Sequence, residues 1–117
     1  MSVTLNQKGL DHARRLVEAH HYVIDSDWGD AQPDSDAGNA EIERNGYKGY
    51  GAWHLAIRTE ENEDTKGRYM FPFGDFRRVH RSALAAAKQR AGEWDYKDVL
   101  EAADALLSRI PDPAAKS

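Results

Sequence analysis

Five histidines, a run of acids and a cluster of arginines are the side chains of this 117-residue chain best equipped to bind or react. His12, His20, His21, His54 and His80 offer imidazole, the commonest nitrogen ligand for a metal. Their spacing is poor: His20 and His21 are adjacent and would project about a hundred degrees apart on a helix, and no HExxH occurs. The pattern favours structural or surface histidines over a metal centre. Asp25, Asp27, Asp30, Asp34, Asp36 and Glu41 supply hard oxygens of the kind calcium takes. A calcium loop counted from Asp30 places Asp34, Asp36 and Glu41 correctly. It then meets Ser35 where the sharp turn needs glycine, and Gln32 where a ligand belongs. A solvated acidic loop is the expectation.

Covalent chemistry finds less support. The chain has no cysteine, no GxSxG elbow and no SxxK. Ser82 and His80 stand two apart on an expected helix and do not face each other. Gly46, Gly49 and Gly51 form neither a P-loop nor GxGxxG, and no cofactor is implied. Without thiols, disulfide frameworks and thiolate zinc sites are excluded, which suits a reducing compartment.

Charge is unevenly placed although the net is only −4. Residues 23–64 hold eleven acids against three bases, a net of −8. Residues 66–90 reverse this, with seven bases against Asp75 alone, a net of +6. Arg77, Arg78, His80, Arg81, Lys88 and Arg90 lie on or just before an expected helix, where they would suit phosphate or nucleic acid. A pI of about 5.7 argues against a polyanion partner, and the first reading of the asymmetry is an acidic block screening a basic one. Tyr47, Tyr50 and Trp53 recur every three residues, as core aromatics or, if exposed together, a partner patch.

These side chains must be positioned by a small set of elements. Leu10, Ala13, Leu16, Val17 and His20 recur at helical spacing, predicting a first helix over 7–21 with Asn6 as its side-chain cap. Residues 26–51 gather Gly, Pro, Asp, Ser and Asn and read as largely irregular, with at most a turn or two of helix over 39–44 ended by Asn45-Gly46. Trp53, Leu55 and Ile57 alternate with His54 and Ala56, and residues 68–71 are rich in aromatics, which predicts a two-stranded antiparallel hairpin. Pro72 ends the second strand or places it at an edge. A helix over 78–91, closed by Gly92, and a final helix through Val99, Leu100, Ala103, Leu106 and Leu107, capped by Asp95 and stopped by Pro111, form an αα-hairpin. The expectation is a helix-dominated α+β fold of three main helices and one hairpin, a single domain over 1–110 with a disordered tail over 111–117.

The segment 53–110 joins a Trp with a short apolar strand, a TKGRYMFPFGDF strand and turn, a helix of the Arg-Ser-Ala-Leu kind and a last amphipathic helix. It resembles a small region found in uncharacterised bacterial and phage-related proteins, some linked to phage head-maturation proteases. The resemblance implies a compact accessory module and carries no catalytic residue. The function expected first is therefore a non-enzymatic interaction domain with a protein partner. Second comes a nucleic-acid or phosphate binder using the basic helix, and third a metal-dependent or carboxylate enzyme. No signal peptide or membrane span is read in the first twenty residues, so cytoplasmic residence is expected.

Overall fold

The computed structural model describes residues 2–112. Its elements run β1 (Val3–Leu5), α1 (Gln7–Glu18), β2 (Tyr22–Val23), α2 (Trp28–Ala31), α3 (Ser35–Gly51), β3 (His54–Arg58), a 3₁₀ turn at Lys66–Arg68, β4 (Tyr69–Pro72), β5 (Val79–His80), α4 (Arg81–Glu93) and α5 (Lys97–Leu107). The architecture is α+β and dominated by helix. The expected hairpin is present as antiparallel β3 and β4, and β1 joins β3 antiparallel on the other side, giving the order β1-β3-β4. β2 and β5 pair in parallel as a separate two-residue ribbon. Pro72 closes β4, which among the described residues has no strand on its outer side, the place where a residue lacking an N–H is tolerated.

The third strand and the ribbon escaped prediction because two or three residues are too few to show alternation. The larger correction is α3. Residues 35–51 are helical where an irregular acidic loop was expected. Asp34 caps this helix, its Oδ1 accepting the Ala37 N–H at 2.8 Å. Its buried positions are Gly38, Glu41 and Gly51, so the inward face carries no apolar stripe for periodicity to reveal. Gly46 kinks the helix with φ 73 and ψ 177, a backbone open essentially to glycine alone; Asn45-Gly46 was expected to end a short helix, but the helix resumes beyond it. Four long helices, not three, and the short α2 make up the helical layer among the described residues.

Helix ends also moved. Asn6 stands at the N-cap of α1 but its side chain makes no cap. Its amide Nδ2 instead donates to the carbonyls of Gly51 and His54, at 3.0 and 2.9 Å, tying α1 to β3. Gly9 allows this approach, since a Cβ there would lie 1.9 Å from the His54 oxygen. α1 ends at Glu18, where His20 turns left-handed (φ 61) and the N–H groups of His21 and His20 return to Leu16 and Val17. α4 ends the same way. Gly92 lies inside it, Asp95 takes the left-handed position (φ 60), and the N–H groups of Tyr96 and Asp95 return to Ala91 and Gly92. Asp95 therefore terminates α4 and does not cap α5, which begins after Tyr96.

The core lies between the sheet and the helices, with Leu55, Phe73, Val79, Leu84, Val99 and Leu106 fully enclosed. α4 packs along α5, and Ala83, Ala87 and Ala91 of α4 and Ala102 and Ala103 of α5 are buried, small side chains that let neighbouring elements approach closely. Residues 113–117 of the expected tail lie outside the described residues, and Asp112 meets Arg81 at 3.5 Å.

Candidate functional site

Three places bring together polar or aromatic side chains that the core does not require. The first is built on the turn before α4. Asp75 Oδ1 accepts the backbone N–H groups of Arg77 and Arg78 at 3.0 and 2.8 Å, and its Oδ2 lies 2.9 Å from His80 Nε2. His80 Nδ1 meets the Ser26 hydroxyl at 2.7 Å, and Ser82 Oγ lies 3.1 Å from Ser26 Oγ. Burial alone would raise the Asp75 pKa, but the hydrogen bonds from His80 and the two amides together hold it below the usual carboxylate value. An ionised Asp75 places a proton on His80 Nε2, and Nδ1 shares a hydrogen bond with the Ser26 hydroxyl. The result is a hydroxyl–imidazole–carboxylate chain, the order that activates a serine nucleophile. His80 is only 5% exposed, and the Trp28 ring lies 5.5 Å from it. The four residues join the segment before α2 to β5 and α4, and so place Trp28.

The second place surrounds His54. Its Nδ1 lies 3.0 Å from the Tyr50 carbonyl, a group that only accepts, so the Nδ1 proton is fixed and Nε2 carries the lone pair. Burial, opposed only weakly by that hydrogen bond, pushes its pKa down to about 4. The ring packs in a triangle with Tyr50 and Tyr69, whose centroids lie 4.7 and 5.8 Å from it and 5.9 Å from each other, and the residue lines a cleft of about 260 Å³.

The third is a groove of about 340 Å³ between β4 and α4. All four residues of β4 form one wall and Ala83, Ala86 and Ala87 the other. Trp28 and Trp94 flank it, and Arg58 and Arg90 stand beside them. Trp94 is 51% exposed, the large apolar side chain left in solvent among the described residues.

The basic cluster expected on one helix is divided by the structure. Arg77 and Arg78 are exposed on the turn, and His80 is buried. Arg81 pairs with Asp112, and Lys88 pairs with Asp104 of α5 at 2.7 Å. Arg90 lies nine residues beyond Arg81, on roughly the opposite side of α4, and lines the groove. The acids that meet Arg81 and Lys88 come from the C-terminal region, not from the acidic block at 23–64. Tyr47, Tyr50 and Trp53 also separate. Trp53 is core, its ring tilted against Phe73 at 5.5 Å, Tyr50 belongs to the His54 cleft, and Tyr47 lines a different surface depression beside Lys48 and Gln7.

Comparison with protein-family models, curated proteins and solved structures found no match. The site is therefore read from its own geometry.

Among the described residues no three His, Asp or Glu side chains gather as metal ligands, and no helix is long and apolar enough to cross a membrane. The supposed calcium loop is taken up by α2 and by the start of α3, where Asp34 serves its own helix. Sequence reading missed Ser26 because it is separated by 54 residues from the histidine it meets. It missed Arg58 and Trp94 because nothing local marks residues that share a groove. Trp94 did carry one signal, a tryptophan between two helices at a position outside both apolar stripes.

Proposed function

We propose that this chain is a non-enzymatic interaction module, working in the cytoplasm, that takes an extended acidic peptide segment along the groove between β4 and α4. The observation that carries this reading is a groove walled by β4, an edge strand among the described residues, beside two tryptophans and two arginines. A strand edge offers main-chain N–H and C=O groups to a second strand, and side-chain pockets then select the sequence. Phe71 turns left-handed (φ 61) within β4, and neighbouring residues of a strand turn their backbone groups to opposite edges, so a second strand finds one bonding residue, Tyr69 or Met70, and the rest of the contact is made by side chains. Arg58 and Arg90 favour aspartate or glutamate in the peptide. Trp94 is the expected anchor, because exposed tryptophans backed by a pocket dominate interface energies. The resemblance of residues 53–110 to a phage-related accessory module agrees with a partner-binding role. A nucleic-acid reading is weaker, since the bases that would track a phosphate backbone are dispersed and two of them are paired.

Selection of twelve-residue peptides by display on the full chain, followed by amide shift mapping with the best binder, tests the proposal. Acid-rich peptides that shift Tyr69, Met70 and the Trp94 indole are expected, with Trp94→Ala lowering affinity by about thirtyfold. No enrichment, or shifts that bypass the groove, would overturn it. A single-stranded oligonucleotide titrated in parallel makes the alternative visible as salt-sensitive shifts over residues 77–90. The Ser26–His80–Asp75 chain favours one second reading, acyl transfer at Ser26. Labelling of the parent chain but not of Ser26→Ala by a fluorophosphonate would establish it.

A further inference from the structure

We propose that the cleft faced by His54 binds a small planar aromatic acid bearing an O–H or N–H donor, with His54 Nε2 accepting that donor. The His54 side chain is 4% exposed, yet its Nε2 has no hydrogen-bond partner among the described residues. Unpaired polar atoms wholly cut off from solvent are confined there to Arg81 Nε, so His54 Nε2 keeps its contact with solvent, at the cleft the residue lines. A buried nitrogen whose tautomer is fixed as an acceptor asks for a donor on the ligand. Tyr50 and Phe76, their rings 5.9 Å apart, line the same cleft and ask for a flat ring. Lys66 asks for an anion: its ammonium donates to the Ser35 carbonyl and hydroxyl, at 3.1 and 3.4 Å, and retains one N–H. The nearby carboxylate, Asp34, is turned to the Ala37 amide. At about 260 Å³ the cleft lies just below the usual ligand-pocket range of roughly 300–1,000 Å³, which suits a single substituted ring.

The site shares only the Gln32 and Pro72 edges with the β4–α4 groove, and it stands or falls without the peptide reading. The full chain, labelled with ¹⁵N, is titrated with 4-hydroxybenzoate, with benzoate, which lacks the donor, and with phenol, which lacks the anion. Binding of 4-hydroxybenzoate is expected to move the His54 Nε2 resonance and the amides of Tyr50, Gly74 and Phe76. Benzoate and phenol should each bind about tenfold more weakly, the loss of one hydrogen bond or one charge contact. Lys66→Met, a change at the half-buried rim, should bring 4-hydroxybenzoate down to the phenol level while leaving phenol unchanged. Equal affinity for the three probes, no binding at millimolar concentration, or shifts away from the cleft would overturn the proposal.

Discussion

Gly9→Ala sets local and tertiary physics against each other. By helix propensity alone the change should stabilise α1 by up to about 1 kcal/mol. The structure reverses the sign. A Cβ at residue 9 would sit 1.9 Å from the His54 carbonyl oxygen and 3.0 Å from Asn6 Nδ2, whereas real Cβ contacts essentially never fall under 3.0 Å. The obstacle is β3 backbone, so helix and strand must part by roughly 1 Å in a close-packed interior. Overpacking of this kind costs about 1–3 kcal/mol. The displacement also lengthens the Asn6 bonds to Gly51 and His54, at about 1 kcal/mol each. After the helix gain, a net loss of about 3 kcal/mol remains, a large share of the roughly 5–15 kcal/mol of a typical domain. Urea unfolding of the variant beside Gly67→Ala, where an added Cβ meets nothing within 4 Å, measures it. A Gly9→Ala midpoint at or above that of the parent would refute the close approach of α1 to β3.

Stability should also fall with acid through His54. Its folded pKa of about 4 lies below the ordinary 6.5, so the unfolded chain binds the proton first and stability is lost as pH drops from about 6.5 towards 4. The loss is about 2 kcal/mol between pH 7 and pH 4.5, read as a falling urea midpoint, and a flat midpoint would contradict it. Asp95→Gly should stabilise by about 1 kcal/mol, because glycine takes the left-handed position that ends α4 without the Cβ penalty, and a thermal melt checks this.

The chain's own order was sufficient for elements whose signal is local. α1 and α5 carry apolar residues on one face, and that face is buried through Leu10, Ala13 and Val17 in one and through Val99, Ala103 and Leu106 in the other. β3 was legible from the alternation of Trp53, Leu55 and Ile57, although His54 and Ala56 between them are buried as well, and the few residues between α4 and α5 were enough to predict an αα-hairpin. α3 was illegible because its inner face holds glycines and a glutamate, so burial there leaves no hydrophobic period. The helix ends at His20 and Asp95 were illegible because residues other than glycine occupy left-handed positions that glycine usually marks.

The candidate sites divide in the same way. Residue type alone singled out the imidazoles, the acids, the arginines and the Tyr47, Tyr50 and Trp53 trio as groups with chemistry to offer, and excluded everything that depends on a thiol. Only the tertiary structure decided which of them meet. Ser26 reaches His80 across 54 residues, Arg58 joins Arg90 and Trp94 at one groove, and Trp53 goes to the core while Tyr50 goes to a cleft. Side-chain identity is a local property and proximity is not. Contacts between distant residues are set by how helices and sheet pack, and that packing follows from burial summed over the whole chain.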